Sequence, residues 1–476
     1  MVLLYLRSCG FVQGRGCEDA IFTLKNALCL RREHELQSHV LFVDLVKAFD
    51  SIPRNALLLV LELAGFPPRL LNFIKCMYRT STIHFTLGNE TRRVQCSSGV
   101  IQGDPMSPLL FNIFMQYCME SFSQFLEMDN RMFFLTKNDN IVHGRKHKTR
   151  GGTPFQVLRS LFADDAAFIV DTYQDLTMLS RTLFIHFERY GLKMHIGRGQ
   201  KGKSKTVAMF FPCRTMPSFP TQARFKVLGG WIEYVQEFKY LGSMITSDLS
   251  DYLEISHRIR MTRIAFKKGE RLFCERKLPL KIRANAFKVL VLNIMLYGCK
   301  NWILTRDIVQ SLRVCFNICV RKLCNVSRWR MVDEHIHQSH LEKKAGLAPF
   351  DYYLDKQRLL FAGKIARMKL DRVPRKLLTA WIARKRYQGG AKLRWGHSIQ
   401  RSFDRLRPGI VTFFKDCAAD NRLNSQVLVE VGLLSEKFDW IHYASSVSAK
   451  VWRHFIENSL FLFYDKHFIR ASSRTA

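Results

Sequence analysis

Acid is scarce in this chain of 476 residues: 40 Asp and Glu face 74 Lys and Arg, a formal net charge of +34. Like charge in such excess repels itself, and a polyanion relieves it, nucleic acid being the commonest. Long apolar runs are also missing. The longest, at residues 56–61 and 289–297, fall far short of the ~20 residues that cross a bilayer, so no membrane partner is expected. The opening Met-Val-Leu-Leu-Tyr-Leu lacks the basic start of a signal peptide, which argues against secretion. Cysteines number 13, odd and irregularly spaced, which suits a reducing compartment, nucleus or cytoplasm, better than a disulfide framework. No internal repeat is visible. What the chain does have is 47% hydrophobic residues, too many for a disordered chain, and length for about three domains.

Hydrophobic periodicity predicts an amphipathic helix over residues 16–36 and a short buried strand over 40–45, then helices at 56–63 and 70–78 and strands at 82–87 and 92–95. A loop from Ser97 ends in Ser107-Pro108, an N-cap followed by proline at the first helical position, and opens a strongly apolar helix to Phe125. Residues 130–152 are polar and basic, an exposed insertion. Two apolar strands pinch around Asp164-Asp165, a helix covers 174–190, and strands return at 207–211, around Gly229-Gly230 and over 238–245. From about residue 256 the pattern is helical and basic.

Three aspartates stand where apolar residues surround them: Asp44 at the end of one predicted strand, Asp164 and Asp165 between two others. Unit charges ~4 Å apart repel by about 4 kcal/mol at an effective dielectric of ~20, so clustered carboxylates either take up protons or hold divalent cations. Oxygen ligands with positions left for phosphate and water select Mg²⁺ or Mn²⁺. Two such ions ~4 Å apart serve nucleotidyl transfer.

The ordered segments Phe42-Val-Asp-Leu-Val-Lys-Ala-Phe-Asp50, Ser98-Gly-Val-Ile-Gln-Gly-Asp-Pro-Met-Ser-Pro108, Phe162-Ala-Asp-Asp165, Lys205-Thr206 and Phe238-Lys-Tyr-Leu-Gly-Ser243 resemble the reverse transcriptase of LINE-type non-LTR retrotransposons. The likeness extends over most of residues 9–405, through Leu296-Tyr-Gly-Cys-Lys-Asn-Trp302, residues 358–368 and residues 389–395. It implies that Asp44, Asp164, Asp165 and the Leu45 carbonyl hold two Mg²⁺ ions, with Lys205 near the pyrophosphate. Phe49 is implied to lie under the sugar of the incoming nucleotide, rejecting a 2′-hydroxyl, and Gln102 and Gly103 to lie against template and nucleotide. Residues 238–243, with Tyr240, Leu241 and Gly242, resemble the primer grip. Arg258, Arg260, Arg263, Lys267 and Lys268 are implied to line a duplex groove. Bland readings compete: Phe49 as core filling, Asp50 as a turn residue, and Lys201, Lys203 and Lys205 as a solvated loop.

The fold class expected is α+β, a right-hand polymerase: partial fingers over 1–39, an antiparallel palm sheet with backing helices over 40–250, a helical thumb over 251–345 and a basic C-terminal region over 346–476. The expected activity is RNA-directed DNA synthesis, a nucleotidyl transfer to a primer 3′-hydroxyl. Its partners would be an RNA template, a DNA primer or target and dNTPs, with endonuclease activity supplied elsewhere. Val12 and Gln13 stand where relatives carry a basic residue and proline, and a few Gly and Lys are inserted between His195 and Lys205. The chain starts just upstream of its first matching motif, so an N-terminally truncated polymerase is expected. The alternative is a catalytically incomplete nucleic-acid-binding remnant. Residues 356–407 hold 16 Lys and Arg against two acids, with Trp381, Tyr387 and Trp395 interleaved, either a nucleic-acid track or a solvated helix pair. Cys315, Cys319 and Cys324 with His335, His337 and His340 lack the tight cysteine pairs of zinc sites and read as buried helix residues.

Overall fold

A computed structural model describes residues 10–79, 81–125, 134–136, 153–155, 157, 159–162, 164–199, 202–215, 224–384, 394–419 and 438–472. Lys201, Tyr387, the basic stretch 137–152 and residues 389–393, singled out in the sequence, lie outside them. The chain forms two compact units, one of residues 1–134, 155–237 and 384–387, the other of residues 135–154, 238–383 and 388–476.

The first unit begins with α1 (Cys17–Glu33), β1 (Ser38–Val43), α2 (Ala48–Ser51), α3 (Arg54–Leu63) and α4 (Pro68–Arg79), followed by the hairpin β2 (Thr82–Leu87) and β3 (Glu90–Gln95) and by α5 (Ser107–Phe125). The short strands β4 (Phe134–Thr136) and β5 (Thr153–Phe155), most of whose residues belong to the second unit, pair with each other. Then come β6 (Arg159–Phe162), β7 (Asp165–Val170), α6 (Tyr173–Arg189), β8 (Val207–Phe211), β9 (Arg224–Val227) and β10 (Gly230–Tyr234). Helix α6 starts where it does because Thr172 and Asp175 close a reciprocal capping box.

Six strands make one sheet in the order β6-β7-β1-β8-β10-β9. Its pairs are antiparallel, as the sequence led one to expect, except that β10 runs parallel to β8. The long connection after β8 carries the chain out through β9 and back, the length that a parallel crossover requires. Alternation along the strands gives the sheet two faces. Leu41 and Val43, Ala166, Phe168 and Val170, and Ala208 join Phe111, Phe114 and Phe122 of α5 and Leu176, Leu183 and Phe187 of α6 in one core, each large side chain contributing about 1.5–3 kcal/mol. The other face, with Val40, Phe42, Ala167, Ile169, Met209 and Phe211, is buried too. Helix α1, almost wholly buried, lies against β6.

The second unit opens with the hairpin β11 (Glu237–Tyr240) and β12 (Ser243–Thr246), and α7 (Tyr252–Lys268) packs on β12. Further helices follow: α8 (Glu270–Cys274), α9 (Leu280–Phe287), α10 (Asn293–Met295), α11 (Arg306–Leu323), α12 (Arg328–Asp333), α13 (Gln338–Ala345), α14 (Phe350–Ala366), α15 (Val373–Leu378), α16 (Trp395–Ala419), α17 (Trp440–Ser446) and α18 (Ala449–Ser472). One core joins Ile255, Phe266, Phe287, Trp302, Phe316 and Phe350. Another is aromatic, with Phe403, Trp440, Tyr443, Trp452 and Phe455 in mutual ring contact.

Part of the basic C-terminal stretch is engaged within the fold. Arg358 is fully buried and donates to Ser398 Oγ at 2.8 Å and to the Trp302 carbonyl. Arg405 pairs with the buried Asp355, which also accepts from the Tyr464 hydroxyl. Arg367 lies over Trp452, Arg375 is buried, and Trp395 is inside, its indole donating to the Lys300 carbonyl. These cations and rings tie helices together. Among the described residues no helix is long and apolar enough to cross a membrane.

Candidate active site

Asp44 follows directly on β1 and Asp165 opens β7. The register pairs Val43 with Ala166, so one step further sets Asp44 across from Asp165 at the same end of the sheet. Alternation turns both toward the face opposite α5 and α6. Asp164 occupies the turn between β6 and β7. All three are partly buried or adjoin buried residues, and they feel one another's charge. Burial, then Asp164 and Asp44, push the Asp165 carboxyl up to about 6. Burial and Asp44 also raise Asp164. The Cys17 thiol at the start of α1 is pushed up by burial and by nearby acids, Asp165 among them, so the first turn of α1 ends near the carboxylates.

Asp44 is fixed by groups that local sequence pattern does not flag. Its backbone N–H donates to Thr206 Oγ1 at 3.1 Å, and its carbonyl accepts from the same hydroxyl and from the His195 N–H at 2.9 Å. Val46 N–H donates to the Lys193 carbonyl, and Leu45 stands opposite Met194 between these rungs. Lys205 is exposed, and its N–H donates to His195 Nδ1 at 3.2 Å, so the lysine is tethered through His195 to the backbone of Asp44.

Phe49 stacks on the buried Phe111 of α5, centroids 4.1 Å apart and rings 9° from parallel. Around it the 98–103 loop is sewn to the turn after β1: Gly99 N–H to the Ile52 carbonyl, Val100 N–H to the Phe49 carbonyl, Ser98 Oγ to the Asp50 carbonyl, and Gln102 Nε2 to the Asp50 carboxylate at 2.8 Å. Asp50, within the short helix α2, therefore holds Gln102. Gly99 has φ +77° and a Cβ there would lie 2.7 Å from Asp50 backbone atoms. Arg54 completes the assembly, donating to the carbonyls of Gly99, Tyr78 and Cys96. Gln102 and Gly103 are exposed at the loop's tip.

In the second unit, Tyr240 is buried at the end of β11, and Leu241 and Gly242 turn the chain with φ +47° and +80°. Tyr297 Oη donates to the Leu241 carbonyl at 2.8 Å, and Glu254 Oε2 accepts from Met244 N–H at 2.7 Å. Arg258, expected among the groove-lining cations, is instead buried: it pairs with Glu254 at 2.7 Å, donates to the Gly242 carbonyl and lies over the Tyr297 ring. Its charge braces the 241–242 turn. Lys267, with Arg260, Arg263 and Lys268, is exposed on α7.

Among the described residues no three His, Cys, Asp or Glu side chains gather into a ready metal cage. Mg²⁺ rarely uses one, taking one or two carboxylates and filling the remaining positions with water and substrate phosphate. Burial first, and neighbouring carboxylates after it, raise Asp164 and Asp165, and such a crowded, part-buried acid group fits a place for a cation of this kind. Cys315 and Cys319 are buried on α11, and Cys324, which caps its C-terminus, donates from Sγ to the Leu341 carbonyl.

Comparison with known proteins agrees with this geometry. Residues 3–245 match the family described as reverse transcriptase (RNA-dependent DNA polymerase). The Pol polyprotein of the R2 type-1 retrotransposable element of Popillia japonica is 28% identical over 48% of this chain, which spans 34% of that polyprotein. An uncharacterized transposon-derived protein of Caenorhabditis elegans is 24% identical over 50% of this chain and 83% of its own. A telomerase structure from Candida tropicalis aligns over 79% of this chain and 54% of its own, at 12% identity and a TM-score of 0.35, a likeness too loose to carry an argument. The six-stranded sheet with its facing aspartates and the family match over half the sequence lead to one conclusion: the chain belongs to the reverse transcriptase family, in its non-LTR retrotransposon branch.

Proposed function

We propose that this chain adds deoxynucleotides to a primer 3′-hydroxyl under the direction of an RNA template. The observation that carries the reading is the Val43–Ala166 pair that ends the β1–β7 register, one residue short of Asp44 and Asp165, with Asp164 in the adjoining turn. Asp44, Asp164, Asp165 and the Leu45 carbonyl would hold two Mg²⁺ ions, Mn²⁺ being a possible substitute; bound there, such ions lower the pKa of the attacking hydroxyl and stabilise the pyrophosphate. The protein's own part is placement. Thr206 and His195 fix Asp44, Lys205 presents a cation to the triphosphate, and Phe49 on Phe111 forms a hard floor that rejects a ribose 2′-hydroxyl. Gln102 and Gly103 meet the template and the nucleotide. Tyr240, Leu241 and Gly242 hold the primer end, with Arg258 bracing them, and Lys267 meets duplex phosphates. In this reading residues 1–39 are partial fingers, 40–250 palm, 251–345 thumb and 346–476 a basic extension. A DNA target serves as primer, with its nick made by an endonuclease supplied elsewhere.

The test is primer extension on poly-rA with oligo-dT, dTTP and Mg²⁺. Wild type extends the primer, and Asp44→Ala or Asp165→Ala lowers incorporation by about a thousandfold or more, the scale on which metal-assisted transfer depends on its ligands. Incorporation that survives Asp44→Ala, or a wild-type chain that extends nothing, overturns the proposal.

A further inference from the structure

Phe11 combines three features that rarely coincide. It is 60% exposed although large and apolar. Its backbone is left-handed, φ +51°, a region that bulky side chains occupy only when the surroundings impose it. And its ring stands edge-on to Phe49, centroids 6.2 Å apart and planes at 83°, the geometry that favours a positive ring edge against a negative face.

The loop that carries Phe11 is anchored to the helix on which Phe49 rests. Asn112, buried in α5 next to Phe111, donates from Nδ2 to the Gly10 carbonyl at 2.8 Å. The turn is then closed by Arg15 N–H on the Val12 carbonyl. Adjacent residues of α5 therefore serve two purposes: Phe111 supports the face of Phe49, and Asn112 holds the loop whose ring meets Phe49 at a right angle. A stacked pair resists tilting and still allows the upper ring to slide or rotate over the lower one. An edge-on third ring removes that freedom.

We infer that Phe11 is a positioning residue for sugar discrimination, fixing the Phe49 ring at the height where a ribose 2′-hydroxyl strikes it. The inference rests on the reading of Phe49 given above. Phe11 acts through Phe49, from a loop that the Asn112–Gly10 hydrogen bond ties to α5.

The full chain is tested on poly-rA with oligo-dT and Mg²⁺, comparing kcat/KM for dTTP with that for UTP. Phe11→Ala is expected to lower the preference for dTTP about tenfold, the range of one aromatic contact, with the change carried by a lower KM for UTP. Phe11→Tyr keeps the preference, and Phe11→Ala added to Phe49→Ala lowers it no further. A purely structural role would lower kcat for both nucleotides alike and leave their ratio alone. Preference held within about twofold in Phe11→Ala while Phe49→Ala loses it overturns the inference and leaves the reading of Phe49 standing. Wild-type preference in Phe49→Ala overturns that reading, and this inference with it; a chain that extends no primer overturns both along with the polymerase proposal.

Discussion

Three of the seven described non-glycine residues with left-handed backbone lie beside candidate functional residues. Phe11, Lys47 and Leu241 hold left-handed φ values of +51°, +48° and +47°, one in the turn against Phe49, one in the turn after Asp44 and one in the turn braced by Arg258. Each costs on the order of 1–3 kcal/mol and persists because neighbouring bonds over-determine it. Gly99 shows the complementary case: its positive φ and its contact with the Asp50 backbone leave no room for a methyl group. Gly99→Ala should lower stability by about 1–3 kcal/mol in urea unfolding and weaken nucleotide capture, because the 98–103 loop must lift off Asp50 and take Gln102 with it. An unchanged unfolding midpoint would show that the loop tolerates the extra carbon. The aspartates were legible from sequence because an acid inside an apolar run violates a strong rule. Thr206 and Asn112 were not: their partners lie 162 and 102 residues away, and a hydroxyl or amide in an ordinary strand or helix violates nothing. Arg258 misled for the same reason, since its partner Glu254 reads as an ordinary i, i+4 surface pair until burial is known.

At the scale of elements, β1 organises the first unit, with β7 on one side and β8 on the other, and it was readable because a strand buried on both faces is a continuous apolar run. Ser38 and His39 are the polar exceptions within it, and His39 is titratable. The ring is buried, shares a 3.0 Å hydrogen bond with Tyr234 Oη and packs on Phe210. Burial pushes its pKa down to about 4, with the nearby Arg31 charge adding to the effect and Asp175 opposing it. A lowered folded-state pKa means that the unfolded chain takes up the proton first, so stability is lost as pH falls from about 6.5 to about 4 and is unaffected above that window. The ceiling is about 3 kcal/mol, from 1.36 kcal/mol per pKa unit. His39→Gln should flatten the pH dependence of the urea midpoint between pH 6.5 and 4.5; an equally steep loss in the variant would assign the acid sensitivity elsewhere. The strand pattern did not reveal that β10 runs parallel to β8, because direction depends on where the connection travels. Nor did it reveal that α14 and α15 bury Arg358 and Arg375, since amphipathic pattern records where apolar residues fall and a buried Arg looks like any other.

For the molecule as a whole, the charge of +34 divides into cations used internally and cations displayed. Arg358 and Arg375 belong to the first group by burial; Arg405 and Arg313, with side chains 44% and 41% exposed, belong to it only through pairing, Arg405 with Asp355 and Arg313 with both oxygens of Asp351 at 2.9 and 3.0 Å. Arg260, Arg263, Lys267 and Lys268 on α7 belong to the second. Only displayed cations release counterions when a nucleic acid binds, about 0.7–0.9 ion for each phosphate neutralised. The salt dependence of binding therefore counts one group and ignores the other. In a titration of this chain with a primer–template duplex at several salt concentrations, Lys267→Ala should reduce the slope of log K against log salt by about 1 and weaken binding without regard to sequence. Arg313→Gln, which removes an equal charge from the same unit, should leave the slope where it was and lower the stability of the fold instead. A slope lost equally in both variants would mean that net charge alone governs binding, and that the division between inner and outer cations has no consequence for the partner.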